Sequence, residues 1–141
     1  MLINDAGGWY REESEEVPAK SVICVVDDDD EVRDSICTFV RSPGIAVEKF
    51  DAAEALLAWP HLDAMDCLIT DLHMPGMDGL DLQRALTDKR GKVPVILMTA
   101  YPTHAAREAA RLLGISAFAV KPIDPELLLA QVEALLRARG F

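Results

Sequence analysis

The chain has 141 residues, half of them hydrophobic, which is enough for one ordinary domain with a substantial core and too little for two. Fourteen Lys and Arg against 24 Asp and Glu leave a formal net charge of −10, with an isoelectric point near 4.6. That balance argues against a protein that coats phosphate backbones or anionic lipid, so no direct nucleic-acid partner and no membrane surface are expected.

Residues 1–19 hold Gly7-Gly8, a charged run and Pro18 without a sustained period. They are expected to form a flexible acidic leader to a domain at 20–141. The acidic start lacks the basic and apolar segments of a secretory signal, and no stretch approaches the roughly 18 apolar residues of a membrane span. Cys24, Cys37 and Cys67 are odd in number, lack C-x-x-C spacing and sit in apolar stretches. They read as buried free thiols of a cytoplasmic protein.

From residue 22 onward, short β-rich runs alternate with amphipathic ones. Val22–Val26 reads as a strand, followed by a helix over 31–41 with Val32, Ile36, Phe39 and Val40 at helical spacing. Ile45–Phe50 is a weaker strand, leading through Asp51 into an Ala- and Leu-rich helix that stops before Pro60. Cys67–Thr70 is the third strand, with a helix from Asp78 to about Lys89. Val93–Met98 is the fourth, with a helix over 102–113. Ile115–Val120 is the fifth, with a final helix over 124–139. Gly44, Gly91, Gly114 and Gly140 are expected to end helices. The pattern is (βα)5, an α/β chain whose crossovers imply a parallel sheet with helices on both faces. A flavodoxin-like doubly wound order 2-1-3-4-5 is the natural arrangement.

Ligands of such sheets bind beyond the carboxyl ends of the strands, near the switch point between strands 1 and 3. Strand 1 ends in Asp27-Asp28, strand 3 in Asp71, strand 4 in Thr99 and strand 5 in Lys121-Pro122. Singly, each has an ordinary structural explanation: a cap, a turn residue, a solvated lysine. Together, three carboxylates repel unless a cation lies among them, and hard oxygen ligands suit Mg2+. Asp29 and Asp30 are expected to open helix 1, and Asp78 to cap helix 3. His61 and His104 lack metal-ligand spacing and read as surface residues.

Val25-Val26-Asp27-Asp28-Asp29, the run Thr70 to Gly79, Met98-Thr99-Ala100 and Val120-Lys121-Pro122 resemble the response-regulator receiver domains of two-component signalling, the CheY-like superfamily. The resemblance covers about residues 21–139. It implies that Asp71 is the phosphoacceptor and that Asp27, Asp28, Asp71 and the main-chain carbonyl of His73 hold Mg2+. By the same resemblance Thr99 and Lys121 contact phosphoryl oxygens, Thr99 and Phe118 form the switch, and the Lys121–Pro122 peptide is cis. His73 and Tyr101 would modulate dephosphorylation, with a solvated loop histidine as the other reading of His73. A histidine kinase or histidine phosphotransfer protein would be the phosphodonor, and the exposed side of helix 1 its docking face. Phosphorylation would shift the surface of helix 4, strand 5 and helix 5, near which Tyr101, Arg107 and Arg111 fall. The chain would be a phosphoacceptor switch rather than an enzyme, with at most intrinsic autophosphorylation and autodephosphorylation.

Because the sequence ends directly after the last helix, a single-domain or excised receiver without an output domain is expected, as a monomer or phosphorylation-dependent dimer. The competing reading is an Mg2+-dependent aspartyl-phosphate phosphatase of the haloacid-dehalogenase type. Its nucleophile follows strand 1 in a D-x-D pattern, whereas Asp27 and Asp28 are adjacent. A receiver-like binding module that no longer accepts phosphate is opposed by the complete set Asp27, Asp28, Asp71, Thr99 and Lys121.

Overall fold

A computed structural model describes residues 2–3, 9–10 and 21–138. Of the leader expected at 1–19, only an antiparallel ladder is described, pairing Leu2 with Tyr10 and Ile3 with Trp9. The rest of that expectation, like Gly140, lies outside the described residues. The domain proper runs β1 (Ser21–Val26), α1 (Asp30–Val40), β2 (Ile45–Phe50), α2 (Ala53–Leu57), β3 (Cys67–Asp71), α3 (Gly79–Arg90), β4 (Val95–Thr99), α4 (His104–Leu112), β5 (Ala117–Val120) and α5 (Pro125–Ala138).

The five strands form one parallel sheet in the order 2-1-3-4-5. Every residue of β1, β3 and β4 is buried, as unbroken apolar runs require when helices cover both faces. One core layer packs Ile23, Val25, Ile69, Ile96 and Met98 against Ile36 and Val40 of α1 and Leu128, Val132 and Leu136 of α5. The other packs Cys24, Val26, Leu68 and Val95 against Leu56 of α2 and Leu82 and Leu86 of α3. Removing such large aliphatic side chains typically costs about 2–5 kcal/mol each. On α5, Leu136 is buried and Leu135 only half-buried. Cys24, Cys37 and Cys67 are buried free thiols, and burial pushes the Cys24 thiol well above its ordinary value. None of the described helices is long and apolar enough to cross a membrane.

Several element ends differ from the sequence expectation. α1 stops at Val40 with Arg41 as its C-cap, because Pro43 disfavours the helical region for Ser42. Gly44 therefore lies in the turn into β2 rather than at the helix terminus. Gly91 does cap α3 with φ +94°, and Gly114 follows α4 with φ +73°, backbone conformations that glycine adopts without penalty. α2 is a single short turn ending at Leu57, ahead of the restriction that Pro60 places on Trp59. A 3-10 turn, Leu62–Ala64, follows it.

Candidate functional site

Polar chemistry gathers at the carboxyl edge of this sheet. Asp27 extends past β1, with its main-chain N–H donating to the Phe50 carbonyl at 3.2 Å. Its Oδ1 accepts the Asp29 N–H at 2.9 Å. Asp29 in turn caps α1, accepting the N–H groups of Glu31 and Val32, which leaves Asp28 exposed between two fixed neighbours. Asp71 is the last residue of β3 and is 6% exposed. One carboxylate oxygen from each of Asp27, Asp28 and Asp71 lies within 4.8 Å of the other two.

Lys121 reaches these acids from the end of β5, whose register places Val120 beside Thr99. Its Nζ lies 3.1 Å from Asp27 Oδ2 and 3.1 Å from Asp71 Oδ1, and the Lys121–Pro122 peptide is cis. Burial raises the Asp71 carboxyl above its ordinary value. The hydrogen bond to Lys121 opposes that rise without cancelling it, and the charges of Asp27 and Asp28 add to it. Burial alone would lower the Lys121 ammonium's affinity for its proton, but its hydrogen bonds to Asp71 and Asp27 prevail and raise it.

Thr99 ends β4 fully buried, and its Oγ1 accepts the Tyr101 N–H at 2.9 Å. This leaves the hydroxyl proton available for donation. His73 and Tyr101 are both exposed and meet edge to face, ring centroids 6.0 Å apart. Phe118 is not among the carboxylates. It is half-buried against the Leu72, Leu97 and Ala110 cluster, with the Arg107 guanidinium 4.8 Å above its ring. Arg111 pairs with Glu108 on the exposed face of α4. Asp78 caps α3 through a reciprocal capping box with Asp81.

A hard divalent cation suits this donor set: three carboxylates converge and one ammonium only partly compensates them. Two contributors were not among the expected site residues. Arg33 Nη1 donates to the Asp27 carbonyl at 2.9 Å. Gly79, the first residue of α3, packs so closely on Asp71 that a Cβ there would meet the Asp71 carbonyl oxygen at 2.6 Å. The first is a through-space contact across a turn, and the second is legible only as a glycine where a good helix former would be expected.

Comparison with known proteins gives a consistent result. The sequence model of the response regulator receiver domain matches residues 23–133. The response regulator protein TodT of Pseudomonas putida is 36% identical over 117 residues, covering 83% of this chain and 52% of its own. The transcriptional regulatory protein FixJ of Bradyrhizobium diazoefficiens is 34% identical over 119 residues, 84% of this chain and 58% of its own. The chain thus spans about half the length of the curated relatives it matches. Among solved structures, the BeF3-activated receiver domain of DrrB superposes with a TM-score of 0.76 at 26% identity, covering 84% of this chain and 98% of that one; DrrB is described as a Thermotoga maritima protein. None of these matches supports the phosphatase reading.

Proposed function

Because the chain belongs to the response regulator receiver family of two-component signalling, we propose that it is a phosphorylation-controlled switch. It accepts a phosphoryl group on Asp71 from a histidine kinase or histidine phosphotransfer protein. The observation that carries this reading is the single ammonium of Lys121 bridging Asp27 and Asp71, with the Asp28 carboxylate in the same 4.8 Å cluster.

Asp27, Asp28, Asp71 and the His73 carbonyl would hold Mg2+, and the bound ion would supply charge neutralisation for the phosphoryl oxygens. An Asp71 carboxylate oxygen attacks phosphorus. The P–N bond of the phosphohistidine breaks as the O–P bond forms, and its electron pair stays on the donor imidazole. Lys121 gives up one of its carboxylate contacts for a phosphoryl oxygen, and the Thr99 hydroxyl donates to another. The phosphoryl group carries nearly two negative charges where the Asp71 carboxylate carried one, so the site beside Asp27 and Asp28 becomes more negative by about one charge. Phe118 then turns toward the space that Thr99 vacates, shifting the surface of α4, β5 and α5. His73 and Tyr101 set how readily water reaches the acyl phosphate. The donor docks against the exposed side of α1, next to a cleft of about 310 Å³ that Glu31 and Ser35 of α1 line together with Lys121, Pro122 and Ile123.

The acidic balance disfavours direct DNA contact by the described surface. The resemblance to the transcriptional regulatory protein FixJ leaves transcription control open for a longer protein containing this domain.

Intact mass after incubation with acetyl phosphate and Mg2+ tests the reading. The wild type gains one phosphoryl group, and neither the Asp71→Ala variant nor the wild type with excess chelator does so. A gain that persists in Asp71→Ala, or none in the wild type, overturns it.

A further inference from the structure

We propose that Arg33 is a positioning residue for the cation site. Its guanidinium fork fixes the main chain at Asp27 and so sets the direction in which Asp27 and Asp28 present their carboxylates. The inference rests on reading Asp27, Asp28 and Asp71 as a divalent-cation site.

Arg33 lies in the first turns of α1, yet its side chain is only 14% exposed because it folds back toward β1. Nη1 donates to the Asp27 carbonyl at 2.9 Å, and Nη2 donates to Asp30 Oδ1 at 2.6 Å. The two bonds clamp the turn between its first and last residues. The other polar atoms of Asp27 are already committed: its N–H to Phe50, Oδ1 to the Asp29 N–H and Oδ2 to Lys121. The carbonyl is the one atom of Asp27 whose partner comes from the body of α1. Without that bond the carbonyl of the Asp27–Asp28 peptide loses its side-chain partner, and the main chain from which both carboxylates project is freer to turn, opposed only by the holds that Lys121 and the Asp29 N–H keep on the Asp27 carboxylate.

Arg33 is also the only cation within residues 27–34, a stretch with six carboxylates. If it acted by charge alone it would repel Mg2+, and neutralising it would tighten binding. If it acts by position, neutralising it loosens binding, so the two roles predict opposite signs. Lysine keeps the charge but, as a single ammonium on a flexible stem, does not span both acceptors as the planar fork does.

The test is calorimetric titration with MgCl2 alone at fixed ionic strength, for wild type, Arg33→Gln and Arg33→Lys, with Asp28→Asn as the control for the site. Thermal denaturation establishes that each variant is folded at the titration temperature. Both Arg33 variants should bind Mg2+ about tenfold more weakly, in the range seen when groups orienting metal ligands are removed. Unchanged or tighter binding in Arg33→Gln, or wild-type affinity in Arg33→Lys, overturns the proposal while leaving the cation site intact. Absence of Mg2+ binding in the wild type defeats the cation reading and this inference together. If Arg33→Gln does not fold, Arg33→Lys decides the matter.

Discussion

A Cβ added to Gly79 would stand 2.6 Å from the Asp71 carbonyl oxygen, 2.8 Å from Leu97 Cδ1 and 3.1 Å from Leu72 Cα. Two of those three atoms are backbone and cannot rotate away, so the acceptor strand and α3 would have to separate. Gly79→Ala should therefore cost about 1–3 kcal/mol, the usual range for overpacking, despite the better helix propensity of alanine. Urea denaturation measures the loss, and slower phosphorylation by acetyl phosphate should accompany it because the displaced atom belongs to Asp71. A Gly79→Ala variant as stable as the wild type would mean that the approach is looser than described. At this scale the sequence announced the groups that the fold clusters and hid their supports. Asp27, Asp28, Asp71, Thr99 and Lys121 stand at strand ends, which an apolar run followed by a polar residue marks directly. The roles of Arg33 and Gly79 depend on distances between segments that the linear pattern does not contain.

Among the elements, β2 shows how an edge strand differs from the central ones. Its burial is uneven where β1, β3 and β4 are wholly buried, which is why its sequence alternates less cleanly and reads as the weaker strand. Glu48, in the middle of β2, is half-buried, and desolvation holds its carboxyl above the ordinary value, with His61 only partly opposing that. The folded state therefore binds the Glu48 proton more tightly than the unfolded state. The stability this provides is fully present below the unfolded carboxyl value of 4.5. It is lost as pH rises through the higher folded value. Glu48→Gln removes that loss, so its melting temperature relative to wild type should rise as pH climbs above 4.5 and level off once Glu48 is ionised in the folded state as well. Scanning calorimetry at several pH values checks the sign, and a difference that shrinks with rising pH contradicts it. Element order and type were legible throughout the domain because each apolar run is short and each helix carries a 3.6-residue period. The ends were less so: α1 ended by its proline rather than by Gly44, and the 3-10 turn at Leu62–Ala64 has no period to announce it.

For the molecule as a whole, the sheet order places β3, which carries Asp71, between β1 and β4, while β5 closes the far edge. Between Asp71 and the face formed by α4, β5 and α5 the sheet interposes β4, while Lys121 bridges directly to Asp71 from the end of β5. The terminal residue of β4, Thr99, accepts the Tyr101 N–H, so a hydroxyl drawn toward a phosphoryl oxygen pulls on a main-chain amide as well as clearing space for Phe118. That bond makes the Tyr101 amide a resident spectroscopic probe of the acceptor, lying on the exposed loop that leads into α4. In a 15N-labelled sample, its resonance should move on phosphorylation along with those of β5. In Thr99→Ala, which removes the acceptor oxygen, that displacement should be lost even where Asp71 still takes the phosphoryl group. A Tyr101 shift of wild-type size in Thr99→Ala would show that the signal leaves the site by another route.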